Sequence, residues 1–220
     1  MQGLTKQTEK VFRSLSLLPF TGEFTLIGGS ALALQINHRL SEDLDFCIWS
    51  KQLKKDKPVV DWPTIEKELL TLGKVTSRDV LGFDQVNFIL EGVKLTFLAK
   101  QFNLSPVRHP VNLLNYITAA DVEAIGAMKI ELILRRTEFR DYYDIYSILK
   151  QGKELKDLIS VAAKYSNHLL KTRDALSFLS NGTHYRKEKG FELLNPRYNV
   201  DSADIEKYIK SLIQREYGLI

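Results

Sequence analysis

The sequence predicts an α+β protein, with an N-terminal α/β unit on a small mixed sheet and a C-terminal helical unit. Three observations carry this expectation. Residues 24–34 run as a short β-prone stretch, a Gly28-Gly29 break and a short apolar helix. Residues 85–90 and 93–99 are apolar runs joined by Glu91-Gly92, a two-residue link typical of an antiparallel hairpin. Beyond Thr118 the strand signal nearly vanishes and helical spacing dominates to the end of the chain.

Taken in order, the first 18 residues set Leu4, Val11, Leu15 and Leu18 near one stripe, and Pro19 with Gly22 closes that helix. A strand over 24–27 and a helix over 30–35 follow. Residues 43–49 alternate, with Leu44, Phe46 and Ile48 on one side and Asp43, Asp45 and Cys47 on the other. A charged loop over 51–57 leads to a helix near 63–72, and the hairpin comes next. The Ser105-to-Pro110 stretch changes the character of the chain, which divides the expected domains at 1–110 and 111–220. Helical patterns then fall at about 119–136, 140–151, 154–165, 168–180 and 201–215, and residues 181–199 read as a long exposed loop.

A chain of 220 residues buries roughly 70% of its unfolded surface. Its 44% apolar and 26% charged residues exclude a disordered or fibrous protein. No apolar run reaches the roughly 18 residues a membrane span needs, so no membrane association is expected. The N-terminus lacks a signal-peptide core, which points to a cytoplasmic protein. The lone Cys47 excludes a disulfide framework and a multi-cysteine zinc site. A net charge of +4 permits a polyanionic partner without demanding one.

Gly28 to Trp49 is the most informative stretch. Acids at i and i+2 of a strand project from one face about 7 Å apart, within reach of one Mg²⁺. Aspartate suits a half-buried strand poorly, so Asp43 and Asp45 within a run of Leu, Phe, Cys, Ile and Trp call for a reason. The alternative is that Asp43 is only a turn residue before the strand. Upstream, glycines between strand and helix let a backbone approach a phosphate at the helix N-terminus, where Ser30 adds a hydroxyl. A phosphate cradle at Gly28, Gly29 and Ser30 followed by an acid pair describes a site for a nucleoside triphosphate with its magnesium.

These residues resemble a known signature. Gly28-Gly29-Ser30 followed by Asp43-Leu44-Asp45-Phe46 is similar to the motif of the polymerase-beta-like nucleotidyltransferase fold. More narrowly, GGSALAL, HRLSEDLDF, MKIELILRR and RDYYDIYSIL resemble the AbiEii/AbiGii-type toxins of bacterial abortive-infection and toxin–antitoxin systems. The resemblance implies nucleotidyl transfer from an NTP with Mg²⁺ (or Mn²⁺) held by Asp43 and Asp45. It also implies an RNA acceptor such as a tRNA 3′ end, growth arrest, and a cognate antitoxin.

A second cluster stands in the helical half, which on this reading completes the active-site cleft. Helical winding puts Lys129 within a stripe of Val122, Ile125, Leu132 and Ile133, where it either snorkels outward or meets an anion such as a triphosphate. Asp141 and Asp144 share a face with Ile145 and Ile148 of the next helix. Pairing with Arg135, Arg136 or Arg140 would explain either acid, and a helix-dipole role would also explain Asp141. The family resemblance carries an active-site lysine and aspartate over to Lys129 and Asp144. Lys129 would bind the nucleotide's phosphates, and Asp144 would orient Lys129 or accept the acceptor's proton.

One departure concerns the third metal-binding acid of many polymerase-like relatives. The candidate strand, residues 93–98, has Thr96 or Lys94 in its place, which leaves open whether one metal or two are used. The four histidines lack metal-ligand spacing, and Cys47 reads as a small buried side chain. Arg39 and Arg78 are candidates for phosphate contact and the basic, aromatic loop over 184–189 for RNA contact, with a solvated surface as the ordinary reading of each. The expected activity is Mg²⁺-dependent nucleotidyl transfer to RNA. Its competitors are transfer to a small molecule or protein, and a non-catalytic nucleotide-binding regulatory module.

Overall fold

A computed structural model describes residues 2–51 and 58–218, so the charged loop expected after Lys51 lies outside the described residues. The chain divides into two compact units, Met1–Asp121 and Val122–Ile220. The first extends past the expected boundary near residue 110. The reason is that residues 111–119 form two strands of its sheet.

Helix α1 (Lys6–Leu15) is capped by Thr5, whose hydroxyl accepts the Thr8 N–H, and buries Val11, Phe12 and Leu15. It is shorter than the sequence suggests, because Pro19–Glu23 turns as a separate 3-10 segment. Strand β1 (Thr25–Ile27) passes directly into α2 (Gly28–Ile36), and β2 (Leu44–Ser50) follows. Helix α3 spans Trp62–Leu70. Strands β3 (Val75–Val80), β4 (Gln85–Leu90), β5 (Val93–Gln101), β6 (Val111–Leu114) and β7 (Ile117–Ala119) complete the unit.

All seven strands form one sheet in the order β3-β4-β5-β2-β1-β7-β6. The β2–β5 and β1–β7 pairs are parallel and the others antiparallel. The β4–β5 hairpin turns through Glu91 (φ 48°) and Gly92 (φ 77°), the left-handed pair a tight primed turn requires. Period-two alternation then sorts the central strands. Phe46 and Phe97 stack at 5.2 Å on one face, with Phe24 and Phe88 against the Phe97 ring. The opposite face carries Asp45 beside Thr96, and Thr96 beside Asn87. Cys47 shares that face, fully buried, and burial pushes its thiol pKa up, as suits a packing residue and not a nucleophile.

The second unit is helical: α4 (Val122–Leu132), α5 (Phe139–Leu149), α6 (Leu155–Tyr165), α7 (Thr172–Leu179) and α8 (Ser202–Tyr217). Helix α5 is buried along nearly its whole length, so even its polar residues need partners within the unit. The Tyr142 hydroxyl donates to the Leu179 carbonyl at 2.7 Å, and the Tyr143 hydroxyl accepts the Tyr198 N–H at 2.9 Å. The 181–199 stretch is not the exposed loop expected from its lack of period. Tyr185, Phe191 and Leu194 are buried, and Tyr185 stacks on Tyr142 at 4.1 Å between centroids. Isolated apolar anchors in an aperiodic segment leave no pattern to read. Among the described residues no helix is long and apolar enough to cross a membrane.

Candidate active site

The glycine turn and the acid pair both belong to the first unit, and the N-terminal segment helps to fix them. The Ser41 N–H donates to the Gly3 carbonyl at 2.9 Å and the Thr5 N–H to the Ser41 carbonyl at 3.1 Å. The Thr8 hydroxyl donates to the Glu42 carbonyl at 2.7 Å. These bonds pin residues 41 and 42 immediately ahead of the acids. Asp43 is exposed and stands one residue before β2, while Asp45 lies within the strand and is half-buried. The strand stops short of Asp43 because its carbonyl accepts the Ser30 hydroxyl rather than a ladder N–H.

Ser30 is buried at the start of α2, so its hydroxyl ties that helix to the acid pair instead of facing outward. The glycines stand differently. Gly28 has φ 73°, and a Cβ there would sit 2.8 Å from Asp45 Oδ2. A Cβ at Gly29 would sit 2.7 Å from Arg39 Nη2 and 3.2 Å from Ser41 Oγ. A side chain at either position would displace Asp45 or Arg39, and Gly28 also needs the left-handed backbone. Ile27, the residue before α2, makes no side-chain cap hydrogen bond to the helix.

The donor set fits a hard divalent cation. Mg²⁺ is held through one or two carboxylates with the remaining positions taken by water and substrate phosphates, and Asp43 with Asp45 offers that pair. The third position is settled by the register, because Asp45 pairs with Thr96 in the parallel β2–β5 ladder. Thr96, and not Lys94, is thus its strand neighbour. No group of three or more His, Cys, Asp or Glu suited to a metal occurs among the described residues.

Within the second unit Lys129 does not snorkel. It is 5% exposed, and its ammonium meets Asp141 Oδ1 at 2.5 Å and Asp144 Oδ2 at 2.8 Å. Arg136 completes the cluster through Nε to Asp141 Oδ2 at 2.7 Å and Nη2 to Oδ1 at 3.2 Å. Two of the three donors of Lys129 are thereby fixed on carboxylates, and the side chain is held in one rotamer. Asp141, which the sequence left balanced between pairing and function, makes the shorter contact with Lys129. The i, i+3 spacing of the two acids on α5 is the signal that joins them to one lysine.

Burial works against the Asp141 carboxylate, yet the Lys129 ammonium and Arg136 guanidinium outweigh it and hold its pKa below the ordinary value of 3.8. A depressed carboxyl binds fewer protons folded than unfolded, so it stabilises the fold above about pH 4 and loses that contribution as pH falls further. Urea unfolding of wild type and Asp141→Asn between pH 2 and 6 is expected to show a stability gap that is largest above pH 4 and closes in acid. A gap that widened in acid would contradict the pairing.

Comparisons with known proteins bear on the same segments. A family model described as nucleotidyl transferase AbiEii toxin, type IV TA system, matches residues 10–214. An uncharacterized protein of Aquifex aeolicus (strain VF5), aq_aa25, is 30% identical over 173 residues, covering 76% of this chain and 78% of its own length. Among solved structures, the nucleotidyltransferase toxin MenT4 of Mycobacterium tuberculosis H37Rv is similar with a TM-score of 0.56 at 14% identity, covering 92% of this chain and 82% of its own. JHP933 from Helicobacter pylori is similar with a TM-score of 0.52 at 18% identity, covering 96% and 88%. At such identities the two structures speak for the fold.

Proposed function

Since the chain belongs to the AbiEii nucleotidyl transferase toxin family of type IV toxin–antitoxin systems, and is a nucleotidyltransferase, we propose that it transfers a nucleotide from an NTP to an RNA acceptor such as a tRNA 3′ end. The bacterial cytoplasm is the proposed setting, with a cognate antitoxin as the opposing partner. The observation that carries the proposal is the uncapped start of α2, with Gly28 against Asp45 and Ser30 tied to Asp43. One short segment would thereby join a backbone able to receive a phosphate to two hard oxygen ligands.

Asp43 and Asp45 would hold Mg²⁺ (or Mn²⁺), which when bound neutralises charge on the triphosphate. Gly28 and Gly29 let Asp45 and Arg39 approach the turn, the phosphates would meet the α2 N–H groups, and Ser30 keeps Asp43 in place. The family resemblance would give Lys129, which Asp141 and Asp144 hold within the second unit, the phosphate charge, and Asp144 would orient it. The buried 2.8 Å contact between them supports orientation over proton acceptance, since the carboxylate is already committed to a cation. The acceptor hydroxyl attacks the α-phosphorus in line, its proton passes to solvent water and pyrophosphate departs, so positioning and electrostatics carry most of the acceleration.

Incubating the full chain with each α-labelled NTP, Mg²⁺ and total tRNA tests the proposal. Label in RNA is expected. Label in protein or in a small acceptor would move the activity to those substrates. NTP binding without transfer would leave a regulatory module.

A further inference from the structure

Arg39 has no place in the mechanism above, although its surroundings are unusual for an arginine. It follows α2 in the short link to β2, and only 5% of it is exposed. Its Nη1 donates to the Leu40 carbonyl at 3.0 Å. Its Nη2 occupies the space where any residue but glycine at position 29 would place a Cβ. Neighbouring glycines thus rest on side chains of opposite sign, Gly28 on Asp45 and Gly29 on Arg39.

A guanidinium stays charged whatever its surroundings. The charge has a use at this location. A triphosphate arriving at α2 meets the field of Asp43 and Asp45, and two carboxylates repel it. A fixed positive charge behind the turn opposes that repulsion and adds to the helix N-terminus.

We propose that Arg39 is a positioning residue of the nucleotide site, whose buried charge behind Gly29 draws the triphosphate to the start of α2 and offsets the acid pair. This role rests on the nucleotide site proposed above. It requires that the guanidinium act on anion and cation in opposite directions, which a purely structural arginine would not do.

Binding of two probes to the full chain separates the cases without any turnover. The probes are inorganic tripolyphosphate, measured by calorimetry in the absence of divalent metal, and Mn²⁺ alone, measured by its electron paramagnetic resonance signal. For Arg39→Gln, tripolyphosphate affinity is expected to fall about tenfold while Mn²⁺ affinity rises by about threefold, the size expected of one partly screened charge. Arg39→Lys keeps the charge, so both affinities should stay within about threefold of wild type. Parallel loss of both affinities in Arg39→Gln would show a structural role and overturn the proposal. If Arg39→Gln does not fold, Arg39→Lys decides, and a folded lysine variant that no longer binds tripolyphosphate overturns it. A wild-type chain that binds neither probe would instead remove the nucleotide site itself and this role with it.

Discussion

Asp45→Asn is expected to lower nucleotidyl transfer by about 10³-fold or more while leaving the unfolding midpoint within a few degrees of wild type. The carboxamide has the shape of the carboxylate and keeps its place in β2 between Ile27 and Thr96. It loses the charge that a divalent cation requires. Asp45 is half-buried and rests against Gly28, so small changes in volume would disturb the turn, and asparagine avoids them. Asp43→Asn should lower transfer in the same direction, since Asp43 is exposed and does little for packing. Transfer at the wild-type rate in either variant would dismiss the acid pair as the metal site. A melt recorded on the same preparation shows whether any loss is chemical.

The second large effect is on stability. Lys129→Met should destabilise the helical unit by about 3–5 kcal/mol, because removing one member of a buried pair leaves its partners uncompensated. The two carboxylates fare differently. Asp141 keeps Arg136, whereas the buried Asp144 loses the ammonium it meets at 2.8 Å. The double variant Lys129→Met with Asp144→Asn is therefore expected to recover most of the loss in a thermal melt. On the proposed mechanism it stays inactive in transfer. A single variant that melts like wild type would show that the cluster contributes nothing to the fold, and a double variant no better than the single would place the cost elsewhere.

Much of the fold was legible because its signals are local. The Glu91-Gly92 hairpin, the step from β1 into α2 and the apolar spacing of α5, α6 and α8 each depend on a few adjacent residues. Strand β3 escaped because it is an edge strand exposed on both faces, so Thr76, Ser77, Arg78 and Asp79 carry no alternation. Strands β6 and β7 were too short to register, and missing them set the domain boundary too early. In the site, Asp43, Asp45 and the glycines were visible as a motif. Arg39 stood level with Arg78 as a lone arginine able to touch a phosphate, and only its burial behind Gly29 separates the two. Asp141 could not be separated from Asp144, since spacing places both on one face and only packing shows that they share Lys129.

The order of strands also bears on how the protein emerges from the ribosome. Strand β1 pairs in parallel with β7, and β2 with β5, so the two central strands, which pair locally with each other, wait for their outer partners to be made much later. The sheet cannot close until Ala119 has left the exit tunnel, by which time the first unit is almost wholly synthesised. Closing such long loops carries its entropic cost before the contacts form, and parallel, non-local pairing is slow. The helical unit, built from neighbouring helices, has no such wait. During synthesis the sheet around the acid pair and the glycine turn is therefore completed late.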